Sequence, residues 1–458
     1  MLVGFSVSNY KSFMDTQSIS FVASKITRHK AHLVEENKRK ILKGGLIFGA
    51  NAGGKTNLIK AVKFSREIVT KGLGGVNLSK AYYRIDSSFY GKPGVFEYRL
   101  MTGGCEYSYG FAIRYDSQEV VSEWLFRISP SGSEYCIFNR YVNDAGNSFV
   151  ETDMDLKASK DSMRLDVYFE DFGENISEAF RKKTILSDIA MRSNGKTGIF
   201  AEILRVYEWF EQILIIFPNS KYNFLNEIGT DDVRKMLFQN FISYFDTGIE
   251  AVESQSQTFD FDKIVENMSR EKAEKLKASF YNKTSSNMMT ARINDQMVIL
   301  HKDAMGNVVY NKLLLNHGNP NDKFEYVDES DGTKRLFDLV PLMFEIVKDR
   351  VVLIDEIDRS LHTKLTRRFI ELFFEKNIGV KCQLIATTHD SNLLDLDLMR
   401  QDEIWFIERG EDHSSRVFSL NKFKARFDKK IDKDYLLGRY GAIPLFDEDL
   451  LEENDDEE

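Results

Sequence analysis

The sequence predicts an α/β protein: a mixed sheet built around a glycine-rich turn, an antiparallel β-lobe, and an inserted, mainly helical short arm. Three observations predict this fold class. The short apolar strand Gly44–Phe48 runs into a glycine-rich turn, and a helix from about Thr56 to Ile68 follows. From Gly94 to Arg140 apolar and polar residues alternate, as in antiparallel strands. From Asp331 onward helices alternate with apolar strands, which is typical of parallel βα units.

The first elements of the chain are strands. Leu2–Val7 alternates between two faces and is predicted to be an edge strand, and a second strand is expected at Ile19–Val22. Basic residues between positions 25 and 43 then mark an exposed segment. Within the β-lobe, Thr102-Gly103-Gly104 separates two alternating stretches and predicts a hairpin turn.

The middle of the chain, from about 155 to 285, is predicted to be mainly helical. Apolar residues from Ile199 to Ile213 recur at spacings of 4 and 3 and predict a helix that ends before Pro218. Similar patterns predict helices at Val233–Tyr244 and Ile264–Phe280. No heptad pattern persists for the three or four repeats of a long coiled coil, so the arm is expected to be short.

The composition predicts a compact chain outside membranes. Of its 458 residues, 42% are hydrophobic and 12% aromatic, which is enough to pack the cores of roughly three domains. No apolar run approaches the roughly 18 residues of a membrane-spanning helix, and the N-terminus lacks the features of a signal peptide. Cys105, Cys136 and Cys382 have no metal-ligand spacing and fit a reducing compartment. We therefore expect a cytoplasmic protein.

The net charge of −9 comes from one end of the chain. Residues 447–458 contain nine acidic side chains and no basic one, and removing them from the 71 acidic residues leaves 62 against 62 basic residues. Strong binding to nucleic acid rests on Lys and Arg at the phosphates, and a neutral body does not predict it. The tail is interpreted as a solvated, disordered end, with a docking peptide for a basic partner as the alternative.

The turn Gly49–Thr56 reads Gly-Ala-Asn-Ala-Gly-Gly-Lys-Thr and matches the phosphate-binding loop at every fixed position. In such a loop the glycines let backbone N–H groups close around phosphates, and the following helix N-terminus adds positive potential. Lys55 is expected to reach the β- and γ-phosphates and Thr56 to ligate Mg²⁺. A chance glycine-rich turn is the alternative, and the strand before and helix after argue against it. The residues expected to contact the nucleotide here are Gly49, Asn51, Gly53, Gly54, Lys55, Thr56 and Asn57.

Two later strands end in polar residues that fit the same chemistry. Val351–Ile354 is followed by Asp355, expected to hold Mg²⁺, and by Glu356, expected to activate the attacking water. The strand that begins at Leu384 ends at His389, 33 residues after Glu356. That spacing suits adjacent parallel strands whose carboxyl ends share one crevice, which makes His389 a γ-phosphate contact. By itself, a lone His at a strand end is more often structural.

Ser330 and Gly332 precede an apolar helix predicted at Leu336–Val347. A Ser hydroxyl at a helix N-terminus forms an anion site, although as an isolated string it is equally an ordinary N-cap.

Taken in order, these motifs resemble the ABC ATPase superfamily: phosphate loop, signature serine, strand with Asp-Glu, switch histidine. The closer resemblance is to its SMC-like and OLD-like branch, whose chains begin with a strand and an Asn-aromatic-x-Ser-Phe string, here Asn9–Phe13. A long insertion, here about 270 residues, separates the phosphate loop from the signature helix. Asp355–His362 and Tyr435–Pro444 are similar to the OLD-like group in particular. The resemblance covers 1–70 and 325–445.

The resemblance implies an ABC-type ATPase head with ATP and Mg²⁺ as cofactors. In that superfamily the signature serine of one chain contacts the ATP held by another, so it implies a head-to-head dimer or larger homo-oligomer. This chain has Ser-Asp-Gly-Thr in place of Ser-Gly-Gly-Gln, and the contact is therefore expected to rest on Ser330 and Gly332. His362 stands at the usual D-loop aspartate position.

Many OLD-like proteins carry a C-terminal TOPRIM nuclease domain. Only 69 residues follow His389 here, too few for that domain, so the chain resembles the stand-alone ATPases of bacterial phage-defence systems of the PARIS and RloA types. The resemblance implies an ATP-hydrolysing regulatory subunit that controls a separate TOPRIM-like nuclease effector, with a phage-encoded trigger as a further partner.

Three alternatives stay open at the level of sequence. A DNA-repair ATPase acting directly on DNA is disfavoured by the missing coiled coil and the neutral body, and direct DNA binding is left open. A transporter ATPase subunit would have its phosphate loop and signature closer together. Glu356 argues against a scaffold that binds ATP without turnover. The predicted domains are an N-terminal half of the head at 1–155, a helical insertion at 156–290, a C-terminal half of the head at 291–446 and an acidic tail at 447–458.

Overall fold

A computed structural model describes residues 1–444 apart from positions 144, 194, 196–197, 219–231, 261–268, 282–287, 294–295, 304, 320, 347–348 and 424–429. The chain forms two compact units. The first contains Met1–Phe217, Val347–Ile357 and the chain from Ile370 onward. The second contains Pro218–Ile346 and Asp358–Phe369. Among the described residues, no helix is long and apolar enough to cross a membrane.

A six-stranded sheet in the first unit joins distant parts of the chain. In spatial order its strands are β11 (Leu214–Ile216), β17 (Val351–Ile354), β18 (Gln383–Thr387), β5 (Gly44–Phe48), β19 (Ile404–Arg409) and β20 (Ser415–Ser419). All neighbouring pairs are parallel except β19 and β20. Strands β5, β17 and β18 are buried at every position, as expected for parallel strands covered on both faces. Their carboxyl ends therefore meet at one edge.

A seven-stranded antiparallel sheet forms the predicted β-lobe. In spatial order its strands are β10 (Ser148–Glu151), β9 (Glu134–Val142), β8 (Glu119–Ile128), β7 (Cys105–Arg114), β6 (Pro93–Thr102), β1 (Leu2–Ser8) and β2 (Gln17–Ser20). The hairpin turn lies between β6 and β7 at Gly103 and Gly104, both with positive φ. β1 was predicted to be an edge strand, which is wrong: it pairs with both β2 and β6. A small hairpin, β3 (Leu33–Glu36) with β4 (Arg39–Leu42), stands apart.

Helices cover the sheets of the first unit. They are α1 (Lys55–Lys71), α2 (Lys160–Glu170), α3 (Glu178–Arg181), α4 (Ile185–Arg192), α5 (Ala201–Gln212) and, near the C-terminus, α11 (Ile431–Leu436). The predicted apolar face of α5 is buried, and the ring of Phe210 lies 4.9 Å from Tyr98 and 5.3 Å from Tyr109 between centroids. Aromatic pairs of this kind add roughly 0.5–1.5 kcal/mol beyond the area they bury.

The second unit is a smaller α/β body. Its strands β12 (Ala251–Thr258), β15 (Val308–Asn316), β14 (Gln296–Lys302) and β13 (Met288–Ile293) are antiparallel, and β16 (Phe324–Glu325) pairs with β15. Its helices are α6 (Asp232–Tyr244), α7 (Arg270–Tyr281), α8 (Asp331–Leu339) and α9 (Leu342–Glu345). Helix α10 spans Thr363–Lys376.

The predicted fold class is confirmed: a mixed sheet carries the glycine-rich turn, an antiparallel lobe accompanies it, and helices make up most of the described residues between 156 and 290. The exact domain bounds stay a prediction. Two helix predictions are corrected. The helix predicted to run up to Pro218 ends at Gln212, because Leu214–Ile216 pairs with the parallel sheet. The helix predicted at Leu336–Val347 is two helices, because Pro341 lacks the N–H that a continuous helix needs.

Part of the helix predicted at Ile264–Phe280 lies outside the described residues, and the remainder is α7. Strand β12 lies within the region predicted to be mainly helical and was not predicted, because its sequence, Ala-Val-Glu-Ser-Gln-Ser-Gln-Thr, offers only one large apolar residue to mark an alternation.

Candidate functional site

The phosphate-binding loop lies where strand β5 ends and helix α1 begins. A Cβ atom on Gly49 would stand 2.1 Å from the backbone oxygen of Ile407, and one on Gly53 would stand 2.9 Å from the same atom. Gly54 has a φ of +113°, and a Cβ atom there would stand 2.1 Å from Oγ of Ser415. All three positions therefore require glycine, for close approach and, at Gly54, also for backbone conformation. Asn51 is exposed at the tip of the loop.

The Lys55 side chain folds across this loop and is only 5% exposed. Its Nζ atom donates to the carbonyl oxygens of Gly49, at 2.5 Å, and Ala50, at 3.0 Å, and lies 3.3 Å from Nδ1 of His389. An ammonium group donates and does not accept, so it contacts the loop through these two carbonyl oxygens. His389 follows β18, which pairs with β17 as the spacing predicted, and its γ-phosphate contact stays a prediction.

Thr56 and Asp355 form the second part of the site. Oγ1 of Thr56 donates to Oδ1 of Asp355 at 3.2 Å, although 299 residues separate the two along the chain. Asp355 is 2% exposed and directly follows β17. Its hydrogen bond with Thr56 joins the end of this strand to the start of α1. A hydroxyl and a carboxylate are hard oxygen donors, which Mg²⁺ prefers, and Mg²⁺ usually takes only one or two protein carboxylates beside phosphate oxygens. The two residues fit the metal predicted for them.

Thr387 joins the two acidic residues of the site. Its Oγ1 atom donates to Oδ1 of Asp355 at 2.7 Å and accepts from the backbone N–H of Glu356 at 2.8 Å. Its carbonyl accepts from the N–H of Ile357 at 3.0 Å. Glu356 has a φ of +50°, a left-handed conformation that a non-glycine residue adopts at some cost. The contacts to Thr387 hold Glu356 in that conformation, half-buried at the edge of the sheet.

A third group of contacts supports the loop from behind. Nδ2 of Asn57 donates to Oγ of Ser12 at 2.8 Å, and Oγ of Ser12 lies 2.8 Å from Oγ of Ser415. Oγ of Ser415 also lies 2.7 Å from the carbonyl oxygen of Gly53. Asn57 was predicted to contact the nucleotide; in the structure its amide contacts Ser12.

The Asn-aromatic-x-Ser-Phe string is fixed at both ends. Asn9 is 3% exposed, and its side chain donates to the carbonyls of Phe89 and Lys92, both at 2.9 Å, and accepts from the N–H of Tyr83 at 3.0 Å. Burial, with smaller contributions from the nearby charges of Lys60 and Arg84, lowers the pKa of Lys11. The string therefore places Ser12 beside the loop with a cluster of positive charge next to it.

Ser330 and Gly332 lie in the second unit. Ser330 caps helix α8, and its Oγ accepts from the N–H of Thr333 at 3.1 Å. A Cβ atom on Gly332 would stand 2.8 Å from the carbonyl oxygen of Ser360, so the signature requires glycine at this position. The N-cap role of Ser330 is present, and its expected contact with a nucleotide stays a prediction.

Two residues of the site have little signal in the sequence. Thr387 is an ordinary strand residue until its place beside Asp355 is known. Ser415 follows His413 and Ser414 in a short polar turn that matches no motif. The only sequence feature that could have indicated Thr387 is its position as a polar residue at the carboxyl end of a buried strand. No sequence feature indicated Ser415.

A family model described as "AAA domain, putative AbiEii toxin, Type IV TA system" matches residues 46–167 and 205–395, which is more than half of the chain and includes the loop, the acidic pair and His389. The chain belongs to this AAA family. No curated protein matches the sequence of this AAA-family protein. The match supports an ATPase of the AAA type, and the narrower resemblance to the OLD-like branch and its phage-defence members stays a prediction.

Solved structures show a more distant similarity to the AAA-family protein. The SMC head domain from Thermotoga maritima is 12% identical, with 91% of this chain and 98% of that chain covered and a TM-score of 0.36. An SMC head bound to the C-terminal winged-helix domain of ScpA is 15% identical, with 92% and 99% covered and a TM-score of 0.36. The recombination mediator RecF with ATPγS is 14% identical, with 92% and 98% covered and a TM-score of 0.33. These values are too low to transfer a function.

Proposed function

We propose that this AAA-family protein binds Mg-ATP at the loop Gly49–Thr56 and hydrolyses it. The observation that carries the proposal is the arrangement around Asp355. Its carboxylate accepts from Thr56 of the phosphate loop and from Thr387, and Thr387 in turn holds the backbone of Glu356. One carboxylate is thereby tied to the loop, and a second is held next to it at the same sheet edge.

Each residue then has a separate task. The N–H groups of the loop and the Lys55 ammonium bind the phosphates, and Thr56 with Asp355 would hold Mg²⁺. Bound Mg²⁺ neutralises charge on the phosphate oxygens. Glu356 accepts or polarises the proton of the attacking water. The proposed role of His389, whose Nδ1 lies 3.3 Å from Nζ of Lys55, is to donate to the γ-phosphate.

Two variants test these roles. Positioned general-base help is worth about 10²–10⁴-fold in rate, so Glu356→Gln is expected to slow hydrolysis at least ~10²-fold while ATP binds as tightly as in the wild type. Lys55→Ala is expected to lose nucleotide binding, because its phosphate contact is gone. Phosphate release at saturating Mg-ATP and equilibrium binding of a fluorescent ATP analogue measure the two effects. Near-wild-type hydrolysis by Glu356→Gln would rule out the assigned base.

For the biological role we propose a regulatory ATPase of a bacterial anti-phage system, whose nucleotide state controls a separately encoded, TOPRIM-like nuclease. The matching family model is described as an AAA domain of a putative toxin of a toxin–antitoxin system. The neutral body and the short arm also favour control of a partner protein over direct work on DNA. The nuclease partner and the phage trigger are proposed from the resemblance to the phage-defence ATPases.

The alternative is an SMC-like repair ATPase that acts on DNA itself. Two measurements on the purified protein separate the roles. A regulatory subunit is expected to co-purify with the product of a neighbouring nuclease gene. The nuclease activity of that complex is expected to differ between the Glu356→Gln and Lys55→Ala variants. A repair ATPase is expected to bind linear DNA with an affinity that falls steeply with salt, and DNA is expected to stimulate its ATPase rate.

A further inference from the structure

The carbonyl of Gly53 in the phosphate-binding loop accepts a hydrogen bond from a serine outside the loop. Ser415 is 1% exposed, and its Oγ lies 2.7 Å from this carbonyl oxygen and 2.8 Å from Oγ of Ser12. The backbone adds a further tie, because the N–H of Ser415 donates to the carbonyl of Ser12 at 2.7 Å. Ser415 begins β20 and Ser12 follows β1, so two segments about 400 residues apart meet behind the loop.

Ser415 is the donor in both of its side-chain contacts, to the carbonyl oxygen of Gly53 and to Oγ of Ser12. A carbonyl oxygen only accepts, and these two acceptors share the one hydroxyl hydrogen of Ser415. Oγ of Ser12 also accepts from Nδ2 of Asn57 at 2.8 Å. Ser12 therefore connects Ser415 to helix α1, and Ser415 connects it to the loop.

The hydrogen bond from Ser415 to Gly53 fixes the direction of one backbone N–H group. The peptide between Gly53 and Gly54 is planar and trans, so its C=O and N–H bonds point in opposite directions. Because Ser415 holds the C=O on the far side of the loop, the N–H of Gly54 points away from Ser415, toward the side where phosphates bind. The close approach depends on Gly54 having no side chain, since a Cβ atom would lie 2.1 Å from Oγ of Ser415.

We propose that Ser415, acting through Gly53 and supported by Ser12 and Asn57, is a positioning residue that sets the affinity of the loop for nucleotide phosphates. The inference rests on the proposed ATP-binding function and assigns part of that site to a residue outside every motif of the chain. Without the Ser415 hydroxyl the peptide is free to rotate, and the N–H of Gly54 is no longer preorganised for the phosphate. The acidic pair and Thr387 are left in place.

Ser415→Ala on the full chain tests this role. A lost hydrogen bond to a buried carbonyl corresponds to roughly a 5- to 30-fold change in an equilibrium constant. We expect the Kd for Mg-ATP and the KM to rise by that factor, with kcat within about 3-fold of the wild type, the pattern for loss of binding that is equal in ground and transition states. Ser415→Cys replaces the hydroxyl with a thiol, a weaker donor of similar size. Its Kd for Mg-ATP is expected to lie between those of the wild type and Ser415→Ala.

Ser414→Ala is the matched control. Ser414 is adjacent and 5% exposed, and its hydroxyl donates to Oδ1 of Asp412 at 2.8 Å rather than to the loop. It is expected to keep the wild-type Kd even where its melting temperature falls as far as that of Ser415→Ala. If Ser414→Ala and Ser415→Ala weaken ATP binding equally, the role of Ser415 is general stability and the proposal is overturned.

A double-mutant cycle tests whether Ser12 acts through Ser415. Ser12→Ala and Ser415→Ala remove the acceptor and the donor of one hydrogen bond, so the double variant is expected to bind ATP about as weakly as Ser415→Ala alone. If the Kd of the double variant rose by the product of the two single-variant factors, Ser12 would act independently of Ser415. A folded Ser415→Ala protein with wild-type Kd would overturn the proposal while the ATP site stands, whereas a wild type that binds no ATP would overturn the proposed function first.

Discussion

Thr387 is the residue on which the acidic half of the site depends. Its hydroxyl is shared between the carboxylate of Asp355 and the backbone N–H of Glu356. A residue that orients a metal ligand without touching the metal usually matters 10- to 100-fold for affinity or activity. Thr387 thus contacts both residues to which the acidic chemistry of the site is assigned in the proposal.

Thr387→Val keeps the shape of the side chain and removes the shared hydroxyl. We expect hydrolysis to fall by about 10- to 100-fold and the Mg²⁺ concentration needed for half-maximal activity to rise. Thr366→Val is the control for the substitution type, since the buried hydroxyl of Thr366 has no hydrogen-bond partner in the described part of the chain. A Thr387→Val protein with an unchanged Mg²⁺ requirement and rate would contradict the role.

At the residue scale, the residues that could be predicted from the sequence are those of a known motif, in which the chemistry requires one particular residue type. Lys55, Thr56, Asp355 and His389 lie within hydrogen-bond reach of the loop or of each other as expected. Ser415 was out of reach of prediction, because any hydroxyl on any late strand satisfies the same carbonyl equally well. Only the three-dimensional register of β20 selects it.

Helix α4 shows how an element is held by a single buried acid. The carboxylate of Glu123 on β8 accepts from the first two N–H groups of the helix, those of Ile185 and Leu186, and from the hydroxyl of Tyr109. These N–H groups have no partner within the helix, so an acceptor there stabilises its N-terminus. Burial nevertheless raises the pKa of Glu123 to about 7.

That shift predicts a pH-dependent stability. The folded protein binds the Glu123 proton more tightly than the unfolded chain, so this contribution is fully present below pH 4.5 and is lost as pH rises through about 7. We expect it to lower the free energy of unfolding by on the order of 1–3 kcal/mol between pH 5 and pH 8. Glu123→Gln has no such proton. Urea unfolding of both proteins across this range gives the slope, and equal slopes would contradict the assignment.

At the element scale, prediction followed the strength of the periodic signal. The face of α5 and the alternation of β6 and β7 were read correctly because a buried apolar period leaves little choice. Leu214–Ile216 was read as the end of a helix, since three apolar residues fit either period and only the pairing with β17 decides. The polar strand β12 gave no signal because its pairing with β15 uses backbone groups.

On the scale of the whole molecule, Ser330 tests the predicted assembly. If Ser330 of one chain contacts the ATP bound by Lys55 of another, nucleotide closes a two-fold interface. We expect Ser330→Arg to bind ATP normally, to lose hydrolysis, and to stay monomeric with ATP in a Glu356→Gln background. Light scattering and phosphate release measure these outcomes.

The control for Ser330→Arg concerns the helix cap. Ser330 also caps α8, and loss of a cap costs about 1 kcal/mol, so Ser330→Ala is expected to show the same fall in melting temperature and a smaller loss of activity. Normal hydrolysis by Ser330→Arg would exclude a contact in trans.

Strand β5 has its two sheet neighbours, β18 and β19, at the far end of the chain. During synthesis the phosphate loop therefore emerges from the ribosome hundreds of residues before the strands that flank it. Contacts this distant in sequence form late, since the closure of a long loop must precede them. A chain that lacks β18 and β19 cannot complete the sheet around the phosphate loop. The order of the strands thus delays assembly of the site until both of these strands have been synthesised.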